Sequence, residues 1–304
     1  MLSDSHLKVI EYFPDSSSVF SSANINGGVV VVYRDVHAMY EPIGNFIPDS
    51  TLRKIAQRFS KDAENNLSSI CYGGRSDLKF NATLFEEYPD TRERILETIR
   101  EKHPSISKLA PNEEYEIKSS SFERTPYVFL SEEPYDSHNY YKILGLENGK
   151  RIYKWVAKKF LSPRFPNHNN IGKYKVLISN ADGAAGQIGK PVPARIIGKP
   201  IIAVPDTSSI PTFMSIGSFE SEEEAQNVEK YVKTKFCRVL VGILKITQHI
   251  TPSTWAYVPL QNFTPDSDID WSKPISEIDR QLYAKYDLDE KEIAFIESHV
   301  RAME

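Results

Sequence analysis

Acidic and basic side chains at close spacing are where chemistry could reside in this chain, and two stretches qualify. Pro89-Asp90 followed by Glu116-Ile117-Lys118 fits the loose pattern of a metal-dependent nuclease site. There, two carboxylates hold a divalent cation and a lysine stands near the attacking water. Pro48-Asp49 with Asp77-Leu78-Lys79 fits it equally, so the pattern discriminates poorly. The glycine-rich stretch 182–189 invites a phosphate-loop reading. It lacks the Gly-Lys-Ser/Thr ending and a following helix whose N-terminus could hold the anion. The seven histidines are scattered without metal-ligand spacing, and no Ser-His-Asp or Cys-His arrangement can be nominated. The sequence therefore assigns no catalytic residue and no metal ligand.

Charge is more informative than any motif. Between positions 148 and 205 stand eleven Lys or Arg and one acid, Asp182. With a net charge of −4 for the whole chain, the remainder carries −14. Such segregation suits a face that binds a polyanion while the rest of the molecule stays acidic. A helix is expected over 150–160, where Arg151, Lys154 and Lys158 recur at i, i+3 and i+7 as a basic stripe beside Lys150. Ile152, Trp155, Val156 and Phe160 form its apolar face. Arg164, Lys173, Lys175, Lys190 and Lys199 extend the basic region. Asn180 and Gln187 are suited to adenine edges and Arg195 to guanine, though each could equally be an ordinary loop hydrogen-bonder.

The elements that would position these residues follow from periodicity. The segment 7–13 reads as a strand. Val29-Val30-Val31-Val32-Tyr33 is an unbroken apolar run of the kind found in a strand buried on both faces. Ser50 can cap a helix over 51–59 with Leu52, Ile55, Ala56 and Phe59 inward, and Thr91 one with Ile95, Leu96 and Ile99 inward. The stretch 112–130 reads as extended, and 140–146 as a strand. One long helix is expected from Ser221 to about position 245, opened by the capping box Ser221-Glu222-Glu223-Glu224. Lys230, Lys233, Lys235 and Arg238 cluster in its middle, either as a solvated face or against DNA. Two acidic helices end the chain, the second opened by Asp289 and Glu292, and read as a packing tail or a docking surface. At 304 residues the chain could be one large domain or two, and the reading is α/β (α+β). No apolar run reaches the length of a membrane helix, and no signal peptide is recognisable. Cys71 and Cys237 are too far apart for a metal pair, so a cytoplasmic protein with free thiols is expected.

Several runs resemble the C-terminal region of bacterial adenine-N6 DNA methyltransferases from restriction-modification systems. They are Glu116-Ile117-Lys118-Ser119-Ser120-Ser121-Phe122-Glu123, Tyr141-Lys142-Ile143-Leu144-Gly145 and Arg151-Ile152-Tyr153-Lys154-Trp155. Gly217-Ser218-Phe219, Tyr231-Val232-Lys233-Thr234-Lys235-Phe236 and Val258-Pro259-Leu260-Gln261-Asn262-Phe263 belong with them, as does the tail from Asp268-Ile269-Asp270-Trp271-Ser272 onward. The resemblance implies that 1–38 is the terminal hairpin of a methyltransferase sheet, 39–264 a target-recognition domain and 265–304 a helical tail. Double-stranded DNA would be the partner, possibly together with a methyltransferase-domain chain. The family's Asn/Asp-Pro-Pro-aromatic motif and Gly-rich cofactor loop are absent from this sequence, so no cofactor is expected on this chain. S-adenosylmethionine would belong to the missing half. The other reading left open is a Mg-dependent nuclease or accessory subunit of the same system, using Asp90, Glu116 and Lys118.

Overall fold

Asn148 and Gly149 carry φ of 50° and 73°. A two-residue loop with both positions left-handed is a type I′ turn, whose twist matches that of the strands it joins. It closes the longest hairpin of the computed structural model, which describes residues 2–22, 25, 28–59, 65–164, 170–181, 188 and 192–303. In chain order the elements are β1 (Leu7–Phe13), β2 (Val29–Arg34), α1 (Ser50–Phe59), β3 (Cys71–Tyr72), β4 (Leu78–Phe80), α2 (Ala82–Glu87), α3 (Thr91–Lys102) and α4 (Ser121–Arg124). Then come β5 (Tyr140–Glu147), β6 (Lys150–Ala157), β7 (Leu161–Pro163), β8 (Tyr174–Ser179), β9 (Ile201–Ala203), β10 (Thr207–Ser209) and β11 (Phe213–Phe219). The chain ends with α5 (Glu222–Lys233), α6 (Lys235–Leu244), α7 (Ile275–Lys285) and α8 (Glu290–His299). The fold is mixed α/β, as expected.

The sheet β3-β11-β8-β9 is the wall between two cores. Side chains alternate across a strand, so successive residues of β8 and β11 serve opposite faces. Val176, Ile178, Met214 and Ile216 face the larger core, built with α1, α5, α6 and the tail. Leu177 and Phe213 face the smaller one, built from β4–β7, the β5–β6 hairpin and the segment 117–129. The tail helices add Ile278, Leu282, Tyr283 and Ile296 to the larger core, so they pack rather than dangle.

Several expectations are corrected. The segment 150–160 is a strand followed by a 3-10 turn, not a helix. Its β-branched and aromatic residues, Ile152, Tyr153, Trp155 and Val156, favour pleated pairing, and the Asn-Gly turn folds them back on 140–147. β2 is not buried on both faces: Val30, Val31, Val32 and Tyr33 are 37–48% exposed. It pairs only with β1, and a two-stranded sheet offers no second layer to cover it. The expected long helix breaks at Thr234, whose ψ of 148° is extended and whose hydroxyl accepts from Cys237 N–H to start α6. The segment 112–130 is not extended; a 3-10 turn at Glu113–Tyr115 and the single turn α4 occupy it. The caps of α1 and α3 lie one residue earlier than expected. Asp49 accepts from Leu52 N–H, and Asp90 is the cap residue of α3.

Candidate nucleic-acid interface

The strand geometry redistributes the basic stripe. Arg151 and Lys154, neighbours on a helix face, stand on opposite faces of β6. Lys154 is buried, donates to Glu147 Oε1 at 2.8 Å and lies 5.1 Å from the Phe122 ring centroid. Gly145 permits this approach, since a Cβ there would fall 2.2 Å from the Phe122 ring. Lys158 pairs with Asp206 at 2.7 Å. Lys154 ties the two hairpin strands and Lys158 ties the end of the hairpin to the residue before β10, so both charges are already matched.

Further residues of the expected DNA-binding set are also engaged in structure. Arg164, with a side chain 8% exposed, forms a two-pronged pair with Glu116 at 3.0 and 2.7 Å. Partial burial pushes the Glu116 carboxyl up. The hydrogen bonds and charge of Arg164, with Arg75 and Lys118 nearby, outweigh this and leave it below the usual carboxylate range. Lys173 pairs with Glu220. Lys175 is fully buried and donates to the carbonyls of Asn170 and Lys173. Burial pulls its ammonium down to about 8, against the pull of Asp77 and Asp206, so it is still mostly charged at neutral pH. Asn180 donates its amide to Pro211 O at 2.6 Å. Arg195 is exposed, and its carbonyl accepts from Arg238 Nη1. Gln187 and Lys190 lie outside the described residues.

Lys150, Arg151 and Lys199 stand apart from these. All three are exposed, and none has a carboxylate partner among the described residues. Arg151 ties two of them together: Nη1 donates to Lys199 O at 2.8 Å while its guanidinium lies 5.8 Å from the Phe213 ring centroid. Lys142 sits on the same face of the hairpin as Arg151, its ammonium 4.5 Å from the Tyr153 centroid and 5.6 Å from that of Trp155. Lys150, the residue before Arg151, turns to the other face at the hairpin tip, so the cations border the hairpin end from both sides and can engage an anionic backbone there.

The α5–α6 basic cluster turns inward instead. Lys230 donates to Trp271 O, Lys233 pairs with Glu229, Lys235 with Glu297, and Arg238 is fully buried. The nuclease residues are not brought together as a metal site. Asp90 is paired with Arg94 and Glu116 with Arg164, and no group of three His, Cys, Asp or Glu among the described residues could hold an ion. No helix among the described residues is long and apolar enough to cross a membrane.

No protein-family model matches this chain, and no curated protein matches it in sequence.

Proposed function

We propose that this chain is the DNA-recognition portion of a restriction-modification adenine-N6 DNA methyltransferase. It binds duplex DNA at the β5–β6 hairpin, and the methyltransferase half of the system, whether a partner chain or a further part of the same protein, flips and methylates the base. The observation that carries the binding site is the exposure of Lys150, Arg151 and Lys199 at that hairpin with no ion pair among the described residues, the nearby Glu147 being taken by Lys154, while Lys158, Arg164, Lys173 and Lys175 are engaged in structure. The family assignment rests on the sequence runs quoted above, and the absence of the catalytic motif and cofactor loop from this sequence restricts the proposal to recognition. It makes the chain a reader that awaits its chemistry. The antiparallel pairing of β1 with β2 suits a hairpin built to join a larger sheet.

The test is a mobility-shift titration of mixed-sequence duplex DNA with wild type and with Lys150→Glu/Arg151→Glu/Lys199→Glu. The exposed positions should tolerate the change, and affinity should fall by roughly 10- to 100-fold at low salt, because three phosphate contacts become repulsive. A folded variant that binds as tightly as wild type would place the DNA elsewhere.

A further inference from the structure

We infer that a second cationic surface, formed by Arg75, Lys79 and Lys118, binds the phosphate backbone of the same duplex. This inference rests on the DNA-binding reading above and assigns to it residues well separated in sequence.

The surface is the outer side of a small three-strand arrangement. β4 pairs with β7 in the register Leu78↔Pro163, Lys79↔Ser162 and Phe80↔Leu161, and Lys79 bridges to Glu116 on its other side. Arg164 N–H donates to Asp77 O, continuing the register to that pair. Leu78, Phe80, Leu161 and Ile117 are buried in the smaller core. Alternation therefore sends Asp77, Lys79, Ser162, Arg164, Glu116 and Lys118 to the opposite side.

The acids on that side are matched from behind. Glu116 is clamped by the nearly buried guanidinium of Arg164, and the buried ammonium of Lys175 lies close enough to Asp77 to feel its charge. Asp77 also lies 3.4–3.5 Å from the amide of Asn170. Other acids close in sequence have cations of their own: Glu113 has Arg124 and Glu114 has Arg92. Arg75 and Lys79 are exposed and Lys118 half-exposed, and none of the three side chains has an ion-pair or hydrogen-bond partner among the described residues. Arg75 and Lys118 lie close enough to Glu116 for their charges to act on it, and Lys79 is bridged to it, so with the inner cations matched to the acids these three outer cations are the excess charge around Glu116.

The surface is linked to the hairpin. Thr212 donates to Ser119 Oγ at 3.1 Å, next to Lys118, and Phe213 packs under Arg151. The start of β11, from Thr212 into Phe213, is thus flanked by the two cationic groups. A stiff polyanion spanning that segment would meet both. Duplex DNA has this form, with a charge every few ångströms.

The test is a fluorescence-anisotropy salt series on two unrelated labelled duplexes. It uses wild type, Arg75→Glu/Lys79→Glu/Lys118→Glu, and the milder Arg75→Gln/Lys79→Gln/Lys118→Gln. Wild type should bind, and the glutamine variant should flatten the slope of log K against log salt by about two to three, near 0.9 per phosphate released. It should do so equally on both duplexes, since phosphate contacts carry no sequence. The glutamate variant should lose more affinity still. An unchanged slope with wild-type binding intact overturns this surface and leaves the hairpin standing. A loss confined to one duplex overturns the phosphate assignment. No binding by folded wild type removes the DNA reading itself, and this surface with it.

Discussion

Asp279→Ala should lower the unfolding free energy by about 2–4 kcal/mol, because its carboxylate accepts from the first two N–H groups of α6, which the Thr234 cap leaves unpaired. The N-terminus of α6 is buried, and its Lys235 and Phe236 N–H groups donate to the Asp279 carboxylate at 3.1 and 2.9 Å. Alanine leaves both donors in the core without acceptors, at about 1–3 kcal/mol each, offset in part by removal of a buried charge. It also takes an opposite charge from the neighbourhood of Arg238, whose guanidinium is fully buried. Burial raises the Asp279 carboxyl to about 6, against the two N–H donors that lower it. A folded pKa above the unfolded one means that this group's contribution is fully present below about pH 4 and declines as pH rises through 6. The difference between wild type and variant should therefore be larger at pH 4 than at pH 7. Denaturant unfolding at both pH values checks this. A variant within 0.5 kcal/mol of wild type, or a difference that grows with pH, would contradict the assignment.

Gly217→Ala should cost about 2–4 kcal/mol for an unrelated reason. Gly217 has φ of +78° at the point where the β11–β8 register shifts between Ile216 and Phe219. The backbone bulge turns Phe219 across the glycine, so a Cβ would fall 1.9 Å from the ring. The ring packs edge-on to Phe263 at 6.2 Å, which limits its retreat. Left-handed backbone costs a side-chain-bearing residue about 1–2 kcal/mol, and overpacking adds about 1–3. Phe219→Leu in the same chain should remove much of the overpacking part and leave the backbone strain. A double-mutant cycle with no coupling between the two positions would show that the ring is not what confines Gly217.

Much of the scaffold was legible because its signals are local. The inward face of α1, the Ser221/Glu224 and Asp289/Glu292 capping boxes and both tail helices appear where periodicity and cap chemistry place them. The candidate site was legible only as composition. Arg151, Lys154 and Lys158 do recur at helical spacing, but the Asn148-Gly149 turn and the β-branched and aromatic residues after it are the stronger signal, and they make a hairpin. Which lysines remain free depends on partners far away: Asp206 lies 48 residues from Lys158, and Glu116 lies 48 from Arg164. Arg75, Lys79 and Lys118 form no run in sequence; the bridge between β4 and Glu116 brings Lys79 and Lys118 together, and Arg75 comes close enough to Glu116 for its charge to act there. Val29–Tyr33 is the converse case: its apolar run implies a burial that a two-strand sheet does not provide.

Lysine protection mapping tests the location of the DNA most directly. The folded chain is acetylated under limiting reagent with and without saturating duplex DNA, and modification is read at each lysine by mass spectrometry. Lys150 and Lys199 should be protected by DNA, and Lys79 and Lys118 with them, whereas the exposed Lys273 and Lys291 of the C-terminal segment should react alike in both samples. Protection of the tail lysines instead, or none at Lys150 and Lys199 in a sample that demonstrably binds DNA, would contradict the account.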